Sequence, residues 1–556
     1  MTEFDIPVLV VGAGPVGLLA GHMFEQLGIQ ALIAERHAGR LDAPKAHALN
    51  SRSLEICHAA RLPMDNIHAK ATRSDEGAFV RFMTSVTGDE LGSIPYERQD
   101  KAVRALTPWP LINIAQPDFE VVAEDALEGA SHVELRRQLE WLGYAESGDV
   151  IISRLRDHAN GEDVMVRSRY LIAADGAGGA IRDAAGIALE GMADIAHNVM
   201  IHFEGDLRGL VGDRPAILYF IFGEAIGSVL IAYDLGKTWV LMHPYDPATT
   251  TLADFTDDVC ARMISTAIGQ NVDITIKGAR TWSMCAQVAS TYRTKNVFLV
   301  GDAAHRFPPT GGLGLNTGIG DIQNLAWKIA AVEHGWGGKG LLDSYGDERQ
   351  HVARSNMGQS VGNALKIALV YQALGQEMRQ PVNRDELDKR LADPAHRNAI
   401  AACIAMQAEH FDSLRLQLGY VYGDHRDIDA GTPINVYVPK AIVGACLPHA
   451  VLAGGGSTLD LIDAGGFTIL AGAASGHWEK LLERSTVPLR LLVEGRDFQL
   501  ASGKWSQTVT LGADGALLVR PDRHLLHVAR DANADEAAAM EAALKDYLKI
   551  LAGGKV

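Results

Sequence analysis

The sequence predicts an α/β chain in which a doubly wound sheet domain is discontinuous, interrupted by a β-rich insert and followed by a small separate β/α unit. Three observations carry this. Residues 6–11 form an apolar run that breaks at GAGPVG (12–17), continues with helical periodicity to Gly28, and resumes as QALIAE (30–35). That order is a compact β-turn-α-β unit. Between about 190 and 282 the segments VMIHFEG, AILYFIFG, SVLIAYD and TWVLMHPYD cluster β-formers between turn residues, as a sheet does. At 296–301, NVFLVG returns to a buried-strand pattern, followed by a Gly/Pro-rich turn and a helix over about 316–334.

Taken in order, these segments place boundaries at 1–187, 188–282, 283–425 and 426–556. Residues 146–187 are β-rich and end in YLIAADGAGG, completing the first part of the doubly wound domain. Residues 340–420 read as mainly helical, and 433–450 as a loop-rich connector. FTILAG, LRLLVEG and ALLVRPDRHLLHVA then form the small β/α pattern, closed by a helix from about 534 to 551. No internal repeat interrupts this order.

Composition narrows the function. The chain has 556 residues, 47% hydrophobic and 21% charged, an ordinary globular balance. A net charge of -17 repels nucleic acid and anionic membranes at long range, so neither is expected as a partner. Cys57, Cys260, Cys285, Cys403 and Cys446 are odd in number and contain no C-x-x-C pair. That argues against a disulfide framework or a zinc site and for a reducing cytoplasm; no metal is expected. Residues 6–20 are as apolar as a signal-peptide core, but they follow Glu3 and Asp5 and contain a Gly/Pro turn, so they read as a buried strand and helix start. No unbroken apolar stretch reaches the ~18 residues a membrane span needs.

Two motifs carry chemistry. The first is Gly12-x-Gly14-x-x-Gly17 between strand and helix, with Pro15 at the helix start and Glu35 and Arg36 closing the next strand. Gly12 permits the tight turn, Gly14 lets backbone approach a pyrophosphate, and Gly17 lets helix pack on strand. The helix N-terminus attracts the anion, and Glu35 is spaced to hold a ribose diol. This motif alone leaves FAD and NAD both open. The second is Asp302 in GDAAH (301–305), continuing through Pro308, Pro309, Gly312, Gly314, Leu315 and Asn316. A carboxylate at a strand end can hold a sugar-like diol. The glycine turn then aims backbone N–H groups and a helix start at one spot, which suits the N1–C2=O edge of a reduced flavin.

With both motifs present, nearly the whole chain resembles the single-component (group A) flavoprotein aromatic hydroxylases. GDAAHRFPPTGGLGLNTGIGDIQNLAWKIA (301–330) is similar to the flavin-binding signature of their phenol hydroxylase branch, which holds 2-hydroxybiphenyl 3-monooxygenase and 2,4-dichlorophenol 6-monooxygenase. YLIAADGAGGAIR (170–182) resembles the family's D-G motif and keeps Asp175 and Arg182, with Gly179 where Ser is usual. KAHALNSRSLEI (45–56) resembles the stretch where an Arg, here Arg52, contacts FAD and a His, here His47, reaches the phenol. Gln116 stands at another flavin contact, Lys45 where Arg is common, and Phe307 where His is frequent.

The resemblance implies a Rossmann-like FAD domain, an inserted β-sheet substrate domain and a thioredoxin-like C-terminal domain without thiol redox chemistry. It implies bound FAD, NAD(P)H as transient electron donor, O2 activated at the flavin C4a, and a small phenolic substrate. A homodimer is a further family-level implication. His47 is the expected base for the phenol. Among aromatics of the sheet insert, Tyr219, Phe220, Phe222, Trp239 and Trp282 are candidates to line the pocket, with Tyr219, Phe222 and Trp239, together with Pro308, taken as its members. Rival readings are a flavin monooxygenase acting on a polycyclic, polyketide-type phenol, or a flavin redox protein that does not hydroxylate. A flavin halogenase is disfavoured by the absence of a W-x-W-x-I-P run.

Overall fold

The computed structural model describes residues 2–40, 46–376, 384–425, 428–474, 476–531 and 534–549. Its first sheet has eight strands, and a parallel centre runs in the order Val297–Leu299, Glu162–Ala173, Thr2–Val11, Ala31–Glu35, Val133–Arg137. Val297–Leu299 lies far along the chain yet sits beside Glu162–Ala173, so the domain is discontinuous. Residues 8–11 and 31–34 are buried, covered on both faces, which is why they read as unbroken apolar runs rather than alternation. The helix Pro15–Leu27 begins with Pro15 at its first positions and ends at Gly28. A proline is harmless there because that N–H has no helical partner.

A second eight-stranded sheet runs in the order His305–Arg306, Thr275–Ala289, Leu189–Glu204, Thr238–Pro244, Val229–Asp234, Leu218–Ile221, Phe79–Met83, Glu90–Pro95. It is not confined to 188–282. Phe79–Met83 pairs in parallel with Leu218–Ile221, a long-range contact that two five- and six-residue runs do not announce. One face packs Tyr219, Phe203 and Trp239 against Cys260, Ile264 and Ile268 of the helix Asp257–Ile268. The other face packs Phe220, Ile231 and Val240 against Ile367, Val370 and Tyr371 of the long helix Ser344–Ala373.

The C-terminal sheet has four strands in the order Leu489–Val493, Phe467–Ala471, Ala516–Val519, Leu525–Ala529. The first pair is parallel and the others antiparallel. The helices Gly476–Arg484 and Ala534–Tyr547 complete a thioredoxin-like arrangement. This unit docks on the far end of the helix Leu313–Glu333, where Trp327 and Ala331 join Trp336, Phe467, Ile469 and Trp478 in one apolar cluster. A buried polar network lies beside it. Glu348 accepts from Lys328 at 2.8 Å, from Arg520 at 2.7 and 2.9 Å, and from Tyr547 at 2.9 Å. Asp522 accepts from Trp327 at 3.2 Å and from Arg520 at 2.5 Å. Among the described residues no helix is long and apolar enough to cross a membrane, and no group of three or more His, Cys, Asp or Glu is arranged to hold a metal.

Candidate active site

Two cavities of about 340 and 500 Å³ adjoin at the carboxyl ends of the first sheet, sharing Gly14, Gln116, Ala174 and Gly176. The smaller is lined by Gly12, Glu35, Arg36 and Asp175. The larger is lined by Pro15, His47, Asp302, Pro308, Pro309, Gly312, Gly314 and Leu315. The glycine turn joins them. A Cβ on Gly12 would lie 2.3 Å from the Ala174 carbonyl oxygen, and one on Gly17 would lie 1.9 Å from that of Gly12. Packing therefore requires both glycines, but Gly12 also faces the smaller cavity whereas Gly17 lines neither. A Cβ on Gly14 would meet no heavy atom within 4 Å, so its bare backbone faces open space.

Polar groups along this channel are set up for a hydroxyl- and phosphate-bearing ligand. Glu35 Oε2 accepts from the Ala13 N–H and Oε1 from the His37 N–H, both at 2.9 Å, which fixes the carboxylate at the strand end. Asp175 Oδ2 accepts from the Ile181 N–H at 3.1 Å, while its Oδ1 is buried without a partner. Burial raises this carboxyl above its ordinary range. A buried orphan oxygen calls for a donor, and a dinucleotide hydroxyl would supply one. Gln116 starts the helix Gln116–Asp125 and donates to Glu120 at 2.7 Å.

On the other wall, Asp302 sits in the turn Gly301–Ala303, and the chain runs through Pro308 and Pro309 into the helix Leu313–Glu333. The first N–H groups of that helix have no intrahelical acceptor and carry the positive end of its dipole. Asp321 supports the turn from below. It accepts from the Gly301 N–H at 3.2 Å, and lies 2.8 Å from His305 Nε2 and 2.9 Å from Arg349 Nε. Burial opposes its charge, but Arg349 and His305 outweigh burial and hold the carboxyl below its ordinary range. Open backbone at Gly14, the orphaned Asp175 oxygen and the helix start together fit an extended flavin dinucleotide.

His47 faces the same large cavity. Its Nδ1 lies 3.0 Å from the Asn113 carboxamide oxygen, which assigns Nδ1 as the protonated nitrogen and leaves the Nε2 lone pair. Burial lowers its pKa below the ordinary 6.5, against the Asn113 hydrogen bond that raises it. The ring is neutral at neutral pH.

Several expected site residues lie elsewhere. Arg52 lines neither cavity: it donates to Glu55 at 2.5 Å, Cys446 Sγ at 2.9 Å and the Leu418 carbonyl at 3.0 Å. It ties the helix Ser51–Ala59 to the connector ahead of the C-terminal unit. Asn316 is also structural. Its Nδ2 donates to the Ala48 and Gly312 carbonyls, and its Oδ1 accepts from the Asn50 N–H and Ser53 Oγ, which exhausts its side-chain capacity. Tyr219 and Trp239 are fully buried on the opposite face of the second sheet. The alternation of a strand puts Leu218 and Phe220 on the cavity side; Phe220 is the one expected aromatic of the insert that lines it. Phe222 lies just past that strand, packed on Phe82 and Tyr371, and does not line the cavity; nor does Trp282.

Phe307 lines the cavity, and Lys45 lies outside the described residues. A Cβ on Gly179 would lie 2.2 Å from Arg182 Nη1, so glycine there goes with the inward guanidinium. Asn113, Glu97 and His410 lie in no motif that could flag them. Asp321 stands inside the 301–330 run, where nothing in its spacing marks a role beneath the turn.

Comparisons agree with this geometry. Residues 5–360 match the family described as FAD binding domain, and residues 440–549 the one described as aromatic-ring hydroxylase, C-terminal. The chain is 29% identical to 2,4-dichlorophenol 6-monooxygenase of Cupriavidus pinatubonensis, over 98% of this chain and 96% of that one. It is also 29% identical to tetracenomycin A2 monooxygenase-dioxygenase of Streptomyces glaucescens, over 100% of this chain and 98% of the other. The crystal structure of the flavin-dependent monooxygenase PieE with FAD and substrate superposes with a TM-score of 0.92 at 32% identity, covering 99% of this chain and all of that one. The chain belongs to the FAD-dependent aromatic-ring hydroxylases, and it is an aromatic monooxygenase that uses FAD.

Proposed function

We propose that this enzyme hydroxylates a phenol, taking electrons from NAD(P)H and oxygen from O2, with His47 as the base. The observation that carries this is the neutral His47 ring, held through Nδ1 by Asn113, on the cavity that the Asp302 and Pro308–Leu315 wall also lines. Bound FAD supplies the electron store and the place where O2 is activated. Gly12, Gly14, Glu35, Arg36, Gln116 and Asp175 hold its nucleotide side, and Asp302, Pro309, Gly312, Gly314 and Leu315 its flavin side. His47 Nε2 takes the phenol proton, which raises the electron density of the ring to be oxygenated. A phenol with a pKa of about 10 is otherwise protonated at neutral pH. Leu218, Phe220, Phe307 and Pro308 keep water from the reacting face.

The same chemistry on a polycyclic phenol is the second reading, favoured by the relative that acts on tetracenomycin A2. The test is a panel of monocyclic and polycyclic phenols, scored for stimulated NAD(P)H oxidation and for hydroxylated product. Product from the phenols supports the proposal. Oxidation that no phenol stimulates overturns it.

A further inference from the structure

Two polar residues on the wall of the large cavity have no part in the chemistry at His47. Glu97 and His410 both line it, and they are only 9% and 3% exposed. The wall continues to them from His47 through aromatic rings. His47 and Tyr96 are 6.0 Å apart between centroids, Tyr96 and Phe411 6.1 Å, and Phe411 lies flat on His410 at 4.0 Å. The Glu97 N–H donates to the Phe411 carbonyl at 2.6 Å, which locks the two residues into one patch. Glu97 has φ 49, a left-handed conformation that a residue with a Cβ rarely adopts. Its Oε2 accepts from Gln417 Nε2 at 2.8 Å, and Ser413 donates to the carboxyl through its N–H and its hydroxyl. His410 Nδ1 has no hydrogen-bond partner.

Both groups are neutral in this setting. Burial pushes the Glu97 carboxyl up to about 8. Burial, with a smaller effect from Lys366, pushes the His410 ring down to about 3. Lys366 is itself paired with Glu409 at 2.6 Å. The lining around the patch is apolar: Phe220, Ile231, Met242 and Ile367. Polar groups buried in such surroundings cost free energy unless something bonds to them. A protonated acid and a neutral imidazole can donate to or accept from an uncharged oxygen. A carboxylate placed against Glu97 would meet a group that must stay protonated to coexist with it.

We propose that Glu97 and His410 are specificity-determining residues that hold a second, uncharged oxygen of the substrate. The preferred substrates are then phenols bearing a further hydroxyl or ketone, ahead of alkylphenols and carboxylated phenols. This rests on the reading of the site as a phenol hydroxylase, so binding and turnover are measured separately.

The experiment uses the FAD-loaded enzyme with para-hydroxyacetophenone, para-ethylphenol and para-hydroxybenzoate. Kd is read from the perturbation of flavin absorption, and KM and kcat from product formation. The parent should bind the ketone about tenfold more tightly than the ethyl compound, the scale of one buried hydrogen bond. Glu97→Leu should erase that difference by raising Kd and KM for the ketone alone, with kcat little changed. Glu97→Gln should keep the difference, and His410→Phe should narrow it. A parent with no preference, or a Glu97→Leu variant that weakens all three equally, overturns the proposal. If Glu97→Leu does not fold, the parent's preference and the His410→Phe series decide. If binding follows this pattern but no phenol stimulates NAD(P)H oxidation, the hydroxylase reading falls and the oxygen-holding patch stands.

Discussion

A histidine can take a proton from a phenol only if its ring is neutral and its lone pair faces the ligand. At His47 the Asn113 contact meets the second condition and burial the first. Below its depressed pKa the ring charges and cannot accept, so product formation falls as pH drops through a value under 6.5. His47→Ala is expected to retain FAD and to oxidise NAD(P)H while losing roughly 10²-fold in hydroxylation, the scale of one general base. FAD content, NAD(P)H consumption and product are measured on one sample. A parental product rate from about pH 6 to 9 would remove His47 from the role. Glu97 gives a stability test with the opposite sign. Its carboxyl is protonated in the fold up to about 8 but ionises near 4.5 when unfolded. Between those values the unfolded chain binds fewer protons, so stability falls as pH rises. Glu97→Gln removes that slope, and its advantage in denaturant unfolding should grow by up to about 1.4 kcal/mol per pH unit across the window. Residues like these show where sequence reading stops. Turn residues such as Gly12 and Gly14 were legible because their spacing is local. Tyr219 was chosen where Leu218 and Phe220 line the cavity, since a shift of one position on a strand exchanges the faces.

The glycine turn is an element whose positions do different work. Gly14→Val should place its side chain in the open channel, abolishing FAD binding while the far-UV circular dichroism of the apoprotein stays parental. Gly17→Ala should instead damage folding, because its Cβ would overlap the Gly12 carbonyl. If Gly14→Val still purifies with a flavin spectrum, the channel has been misassigned. The helix expected at about 316–334 begins at Leu313. Its first turn contains Gly314, and a glycine-rich stretch reads as loop even where it is helical. The strands at 79–83 and 90–95 were legible as neither partner nor sheet, because pairing with residues near 220 is decided only in three dimensions. Arg52 belongs to the same class. Its partners Leu418 and Cys446 lie more than 360 residues further along the chain, where no local pattern could reveal them.

At the scale of the molecule, the order of domains was readable from strand patterns, whereas the bonds between them were not. Glu348 and Asp522 are held as anions below their ordinary range: burial opposes ionisation, and Arg520 overcomes it for both. Arg520→Met leaves both carboxylates buried without that cation. The expected cost is about 3–5 kcal/mol in chemical denaturation, the penalty for an uncompensated buried charge. A loss under about 0.5 kcal/mol would mean that the network contributes little to holding the unit. The helix Leu313–Glu333 links this network to the flavin wall. It has 21 residues, about 30 Å of rise, with the cofactor loop at its start and Trp327 in the C-terminal cluster near its end. A rod so anchored makes the distant unit a gauge of occupancy. Ligand that binds only the folded state adds its free energy to everything unfolding with that rod. Proteolysis within 467–529 should therefore slow when FAD is added, although none of the described residues there lines either cavity.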